Sequence, residues 1–148
     1  MRFDVHSDIG AKVMIGAAAL SADNTPPAVD LDGFGAAEIL LNVGIGGITF
    51  SGTNKIEFKL THSDDDSSYV AVTDDDMLGV TGGVGTGGII KSLIAEHAAA
   101  AAYRFGYIGG KRYLKLLADF SGTHGSGTPL AATVAAMRPA LGPVADQA

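Results

Sequence analysis

The sequence predicts a mainly β fold, an antiparallel β-sandwich or jelly-roll-like domain with at most one short helix. Short β-favouring runs recur along the chain, and one of them, residues 55–60, alternates apolar and charged side chains with the period of a strand. Twenty-one glycines and five prolines punctuate the intervals between these runs. Because a sheet with one apolar face must bury that face on a second layer, such a series of strands indicates a sandwich, with a barrel as the near alternative.

The clearest pair of strands surrounds an acidic turn. In the strand at 55–60, Ile56 and Phe58 lie on the apolar face, while lysine and glutamate occupy the other face. Residues 63–68 are short polar side chains that favour turns, and residues 69–73 again favour a strand. The three segments together predict a hairpin.

Further strands are predicted along the rest of the chain. Two of them flank Gly109 and Gly110, and a Gly-Gly pair between β-favouring runs is a two-residue hairpin signal because glycine accepts positive φ. A second hairpin is therefore predicted at this point. A flexible glycine-rich loop at 122–129 precedes the last strand. The further strands, including the two that flank the glycine pair, are predicted at 13–20, 38–43, 103–108, 112–120 and 130–137.

Residues 89–102 give rise to two opposing expectations. Ile89, Ile90 and Leu93 follow helical spacing, and the five consecutive alanines at 98–102 carry the highest helix propensity. The flanking segments resemble hairpins, however, and the tertiary context of a β-rich domain overrides propensity in many proteins. Helix and strand both remain open for this segment.

The whole chain, residues 1–148, is predicted to form one domain. No linker divides it, and a chain of this length buries roughly 68–70% of its extended surface on folding, which is enough for a core. The N-terminal segment 1–12 and the C-terminal segment 138–148 lie outside the predicted sheets, and Pro139 and Pro143 interrupt the second. We expect both segments to be arms.

Composition excludes several classes of function. The absence of cysteine excludes disulfides, thiolate catalysis and cysteine-based metal centres. A net charge of −6, with only ten lysines and arginines, argues against a nucleic-acid partner, because such binding needs clustered cations. The start of the chain lacks the layout of a signal peptide, and no apolar run reaches the ~20 residues of a membrane span. We expect a soluble protein made in the cytoplasm, with no membrane partner.

The candidate chemical groups favour structural roles. The acidic clusters at 64–66 and 74–76 lack the spacing of an EF-hand, and consecutive carboxylates on a strand point to opposite faces, so solvated turns are expected. His6, His62, His97 and His124 show no metal-ligand spacing, and no Gly-x-Ser-x-Gly motif accompanies them. They are interpreted as surface or turn histidines, with His124 in a mobile glycine loop.

Two further segments resemble binding motifs, but a connecting loop and core packing explain their residues better. The glycine-rich segment 82–88 lacks the Gly-Lys-Ser/Thr ending of a phosphate loop and is expected to be a flexible connection. Tyr103, Phe105 and Tyr107 alternate on one strand face and are expected in the core, with Arg104 on the opposite face. We therefore predict no enzyme activity, and we assign no catalytic, cofactor-binding or metal residue.

Two stretches of the chain resemble short structural proteins of tailed bacteriophages. The first is Ser-Asp-Asp-Asp-Ser-Ser-Tyr-Val-Ala-Val at 63–72, and the second is Tyr-Arg-Phe-Gly-Tyr-Ile-Gly-Gly-Lys-Arg-Tyr-Leu-Lys at 103–115. The loop and strand at 122–137 are similar too, so that the resemblance covers about two-thirds of the chain. It is a resemblance to capsid decoration (cement) proteins, which commonly have jelly-roll or related β folds.

The resemblance implies a virion structural protein on the capsid exterior. Its partner would be the major capsid protein, and it would act as a homo-oligomer, often a trimer, without a cofactor. The arms 1–12 and 138–148 would reach neighbouring subunits, since many weak contacts on a symmetric lattice reinforce one another. A head–tail connector or tail protein is the alternative, and a carbohydrate-binding module is a more distant one because tryptophan is absent. The symmetry, copy number and contact residues stay open.

Overall fold

Alternating apolar residues along ten strands build two antiparallel sheets that pack as a β-sandwich, described for residues 4–148 by a computed structural model. Two three-residue 3-10 turns, at His6–Asp8 and Asp74–Asp76, are the helical elements of these residues. The strands are β1 (Ile9–Leu20), β2 (Val29–Asp30), β3 (Phe34–Val43), β4 (Lys55–Ser63), β5 (Val70–Ala71), β6 (Met77–Leu78), β7 (Ile89–Leu93), β8 (Ala101–Tyr107), β9 (Tyr113–Ser121) and β10 (Thr128–Pro139). The predicted fold class, a mainly β sandwich, is confirmed.

The ten strands divide equally between the two sheets. Sheet A has the order β1-β10-β3-β8-β6, and sheet B has the order β2-β9-β4-β5, with β7 also pairing with β4. Every strand pairing among them is antiparallel. The chain changes sheets at each connection between described strands except the one from β4 to β5. Strands that are consecutive in the sequence therefore lie in opposite sheets more often than they pair with each other.

The inward faces of the two sheets form one apolar core. In sheet B, Ile56, Phe58 and Leu60 are fully buried, as the alternation in β4 predicts, and Leu116 of β9 packs beside them. In sheet A the corresponding fully buried residues are Met14, Ile39, Leu41, Ala132, Val134 and Ala136. Burial of each large apolar side chain contributes roughly 1.5–3 kcal/mol, so this shared core is the main source of stability.

The first predicted hairpin is confirmed. Strands β4 and β5 pair antiparallel through Thr61 with Ala71 and His62 with Val70, although β5 is only two residues long. The predicted strands at 13–20, 38–43, 103–108, 112–120 and 130–137 correspond to β1, β3, β8, β9 and β10, with boundaries that differ by a few residues.

The second predicted hairpin is wrong. Strand β8 pairs with β3 and β6 in sheet A, whereas β9 pairs with β2 and β4 in sheet B. The intervening loop does contain a left-handed glycine, Gly110 with φ 73°. It uses that glycine to cross between the layers, and the Lys111 amide donates a hydrogen bond to the Tyr107 hydroxyl at 3.0 Å.

The segment 89–102 forms no helix. Its first five residues are β7, in which Ile90 and Leu93 are buried and the backbone pairs with β4. Its last two alanines begin β8 and pair with Val43 and Asn42 of β3. Sheet pairing and burial outweigh the local helix propensity of the alanines, because that propensity amounts to less than about 1 kcal/mol per residue.

The boundaries predicted for the two arms need correction. Residues 9–12 belong to β1 and pair with β10, and residues 138–139 are the end of β10. Residues 1–3 of the N-terminal arm lie outside the described part of the chain. The remaining C-terminal residues return to the N-terminal ones, since the Val144 amide donates to the Ser7 carbonyl at 2.9 Å.

Candidate interaction surface

The outward face of sheet B is charged and hydrated. Lys55 and Glu57 form an ion pair with 2.6 Å between Nζ and Oε1, and Lys59 pairs with Asp119 on the neighbouring strand. The hydrogen bond to Asp119 raises the pKa of Lys59. Lys115 lies over the Tyr69 ring, 4.1 Å from its centroid. Covering this face with another protein would require dehydration of all these charges, which disfavours a close contact.

The outward face of sheet A has the opposite character. Its side chains come from five strands, and most of them are small and uncharged; we call this set the sheet-A outer face. Val13, Leu40 and Leu78 are its large exposed apolar residues. The set consists of Ala11, Val13, Ala36, Glu38, Leu40, Asn42, Leu78, Ala102, Arg104, Gly106, Pro129, Ala131, Thr133, Ala135 and Met137.

One acid and one base are the only charged members of the sheet-A outer face. Arg104 Nη1 lies 3.7 Å from Glu38 Oε1, across the pairing of β8 with β3. The Arg104 side chain is 83% exposed, so its guanidinium keeps hydrogen-bond donors free for another molecule. A face with no net charge, small side chains and scattered large apolar groups is typical of the central part of a protein interface.

His62 is buried between the sheets and was not expected there. Its Nδ1 lies 2.9 Å from the hydroxyl of Tyr107, which also accepts the Lys111 amide. In the tautomer that carries its proton on Nε2, His62 accepts the Tyr107 hydroxyl at Nδ1. Burial lowers the pKa of His62, and burial also raises the pKa of Tyr107 to about 12, so both groups stay neutral at neutral pH. The hydrogen bond between His62 and Tyr107 links β4 to β8, and neither side chain is a free nucleophile.

His124 is also buried, although it begins a turn in which the Gly127 amide donates to its carbonyl at 2.9 Å; the interpretation as surface or turn histidines is therefore wrong for His62 and holds for His124 only as a turn residue. His124 is 2% exposed and its ring packs against Phe50 and Phe120, with 4.8 Å between the His124 and Phe120 centroids. Nε2 donates to the Ser121 carbonyl at 2.8 Å, and the buried Nδ1 has no hydrogen-bond partner. The glycine loop that carries it is thus anchored by an aromatic cluster.

The other two histidines form hydrogen bonds with terminal and loop segments. His97 lies between the Gly44 carbonyl, 2.8 Å from Nδ1, and the Tyr103 hydroxyl, 2.9 Å from Nε2. His6 is exposed and lies 2.9 Å from Asp146. The four histidines therefore have separate partners. Between residues 4 and 148, no group of three or more histidine, aspartate or glutamate side chains is placed to hold a metal ion.

The acidic clusters take part in local turns. The Asp65 carboxylate accepts the amides of Ser67 and Ser68 and the hydroxyl of Ser63, and these bonds hold the pKa of Asp65 well below its usual value. In the second cluster, Asp76 accepts the amide and the hydroxyl of Thr73. Each of these carboxylates is already hydrogen-bonded to nearby backbone, which explains why the clusters occur at turns.

The glycine-rich segment 82–88 is held in place by contacts with Asp74 and with strand β4. The Val84 amide donates to the Asp74 carboxylate at 2.6 Å, so a negative charge already occupies this part of the loop. Gly88 lies so close to β4 that a Cβ atom would come 2.3 Å from the Leu60 carbonyl oxygen. The loop packs against β4, which differs from the flexible connection that was expected.

Most aromatic side chains lie in or against the core, whereas Tyr69 and Tyr113 lie outside it, beside Lys115 and Arg112 respectively. Phe105 and Tyr107 are buried, Tyr103 is half-buried and Arg104 faces outward, which confirms the predicted alternation of β8. Every aromatic side chain between residues 4 and 148 is buried or half-buried. A sugar-binding platform needs exposed rings, so this arrangement disfavours the carbohydrate-binding alternative. None of the helical segments described is long and apolar enough to cross a membrane.

Comparison with protein-family models, with curated proteins and with solved structures finds no match to this chain. The resemblance to capsid decoration proteins therefore depends on the residues at 63–72, 103–115 and 122–137 alone. In the fold these stretches form the β4–β5 turn, the crossing from β8 to β9, and the approach to β10 with most of that strand.

Proposed function

We propose that this protein is a capsid decoration protein, a virion structural component that binds the major capsid protein through the sheet-A outer face. The difference between the two sheet faces carries the proposal. A protein with a net charge of −6 has one broad face on which Glu38 and Arg104 are the only charges and neutralise each other, while its opposite face is charged and hydrated. Such a difference suits a molecule with one side bound and one side in water.

The chemistry of the face fits a protein partner. Small side chains such as Ala131 and Ala135 allow close approach of another backbone, and an uncharged surface loses little hydration when it is covered. Many copies on a capsid lattice would reinforce one another, so that each contact needs only modest affinity. The resemblance in the β4–β5 turn and the β8–β9 crossing supports the capsid as the location.

We propose no enzyme activity, because the buried histidines contribute to packing and interlayer contacts. A head–tail connector or tail protein would use the same face for another partner, and the resemblance favours the capsid over it. The oligomer that the resemblance implies is a trimer. Light scattering on the purified protein tests it, since a trimer has three times the chain mass of 15.0 kDa.

Thr133 and Thr61 provide matched positions for testing the proposed surface. Thr133 lies in the middle of sheet A between Val13 and Leu40, and Thr61 lies on the outward face of sheet B beside Lys115; both are half-buried. We expect Thr133→Glu to weaken capsid binding at least tenfold, or about 1.4 kcal/mol, because an unpaired carboxylate would be dehydrated in the contact. Thr61→Glu should bind like the wild type.

The measurement is co-sedimentation with expanded capsids that lack the decoration protein, over a series of protein concentrations. Circular dichroism and the urea midpoint establish that both variants are folded. Equal binding by the two variants, or a loss confined to Thr61→Glu, would contradict the assignment to sheet A. If the wild-type protein does not bind capsids but binds purified tails, the tail role is favoured over the capsid role.

A further inference from the structure

The C-terminal tail, residues 140–148, lies along the free edge of β1. This strand is the outermost of sheet A, and an edge strand presents backbone groups that are open to pairing. The Gln147 side chain accepts the Ala11 amide at 2.8 Å and donates to the Ala11 carbonyl at 2.9 Å. The tail therefore satisfies both edge groups of Ala11 with one side-chain amide, which takes the place of a neighbouring strand.

Two further hydrogen bonds attach the tail to the N-terminal residues. The Val144 amide donates to the Ser7 carbonyl at 2.9 Å, and Asp146 lies 2.9 Å from the His6 ring. The His6 and Asp146 side chains are 77% and 81% exposed, so this contact is accessible to water. A segment that is attached by exposed hydrogen bonds with little apolar burial detaches at low free-energy cost.

The chain leaves sheet A only after Pro139, which still pairs with Phe34, and the Ala140 amide donates to the Gly33 carbonyl at 2.7 Å. The next residue, Leu141, is 90% exposed. Keeping the tail on its own β1 therefore leaves a large apolar side chain uncovered.

We propose that the tail exchanges between copies, so that residues 140–148 of one copy occupy the β1 edge of a second copy. The hydrogen bonds to Ser7 and Ala11 are the same in either arrangement, and the local concentration of neighbouring copies decides between them. Isolated molecules keep the tail on their own edge, and crowded molecules, as on a lattice, share it. This inference does not depend on the capsid role.

The absence of cysteine permits a direct test with single thiols. Ala11 and Ala145 line the same small cleft between the tail and β1, and replacing them removes none of the hydrogen bonds described. Ala11→Cys and Ala145→Cys are prepared separately, mixed and treated with a short bismaleimide. A cross-linked dimer that contains one copy of each variant forms only when a tail reaches a second copy.

We expect the mixed dimer to increase with protein concentration up to about millimolar, the range of effective concentrations for short tethers. The double variant at low concentration should instead give an internally linked monomer. Thr61→Cys, on the far sheet, replaces Ala11→Cys in the control and should give only background cross-linking.

An internally linked double variant combined with background levels of mixed dimer would overturn the exchange. A double variant that does not link internally would contradict the placement of the tail itself. Since no capsid is present in this experiment, its failure leaves the proposed function untouched, and a failure of capsid binding leaves the exchange untouched.

Discussion

At the scale of single residues, His62 connects the two layers of the sandwich. It belongs to β4 in sheet B, and its hydrogen bond reaches Tyr107 in β8 of sheet A. Tyr107 in turn accepts the amide of Lys111, in the loop that crosses between the sheets. One neutral imidazole thus fixes two strands and a crossing loop, and its protonation would remove the acceptor for the Tyr107 hydroxyl.

Stability should therefore fall as the pH is lowered through 6.5. Burial places the pKa of His62 below the ordinary value of 6.5, so the unfolded chain binds a proton in a range where the folded protein does not. More protons on the unfolded state mean that the unfolding free energy decreases with decreasing pH, until the folded-state pKa is passed. Urea unfolding between about pH 7.5 and about pH 5 measures this decrease.

His62→Asn isolates the contribution of this residue. The asparagine carbonyl, bonded to Cγ as Nδ1 is, keeps an acceptor for Tyr107 but does not titrate, while the other histidines remain. We expect the variant to lose less stability than the wild type over the same pH range. An identical pH dependence in the two proteins would show that His62 is not the group responsible.

At the scale of elements, the loop between β6 and β7 depends on glycine for two separate reasons. Gly87 and Gly88 both have left-handed φ angles, 79° and 84°. A Cβ atom at Gly87 would have no neighbour within 4 Å, whereas one at Gly88 would lie 2.3 Å from the Leu60 carbonyl oxygen. That oxygen belongs to β4, and the Leu60 amide donates to the Gly88 carbonyl at 2.9 Å. The loop thus contacts the backbone of β4 directly at Gly88.

Alanine substitutions at these two glycines separate the two reasons. Gly87→Ala should lower the unfolding free energy by about 1–2 kcal/mol, the cost of a left-handed alanine. Gly88→Ala should cost clearly more, because the β4 backbone must also move or the loop must detach. Urea unfolding of both variants gives the comparison. Equal losses would mean that the loop shifts freely and that its contact with β4 contributes little.

The strands were predictable where one face is buried and the other is wet. Alternation in β4 predicted which of its faces is buried, because buried Phe58 and partly exposed Lys59 differ so strongly in polarity. The Gly109-Gly110 signal indicated a turn but not which sheet the next strand joins, since that choice depends on distant partners. Local propensity failed at 98–102 for the same reason, because pairing with β3 decides the conformation of Ala101.

The candidate surface could not be predicted from the sequence, because alanine occupies both faces of β10. In β10, Ala132 and Ala136 face the core while Ala131 and Ala135 face outward, so the polarity contrast that identifies a surface is missing. Only the pairing of β10 with β1 and β3 shows that these alanines share a face with Leu40 and Val13. The burial of His124 was equally hidden, because Phe50 and Phe120 reach it from separate parts of the chain.

At the scale of the whole molecule, the repeated crossing between sheets ties the two layers together. Each connection from β5 to β10 passes from one sheet to the other, and the inward side chains of both sheets form a single apolar cluster. Neither sheet can bury its apolar face without the other. A chain of 148 residues with one such core is expected to unfold in a single cooperative step.

The absence of tryptophan allows each sheet to be followed by its own probe. Tyr103→Trp reports on sheet A and Tyr113→Trp on sheet B, and both positions are half-buried, so that a larger ring is tolerated. Within each variant, the urea midpoint from tryptophan fluorescence should equal the midpoint from far-ultraviolet circular dichroism, because the shared core couples the sheets. Distinct midpoints would show that one sheet persists after the other has unfolded. The crossings would then serve as covalent connections without making the two layers a single cooperative unit.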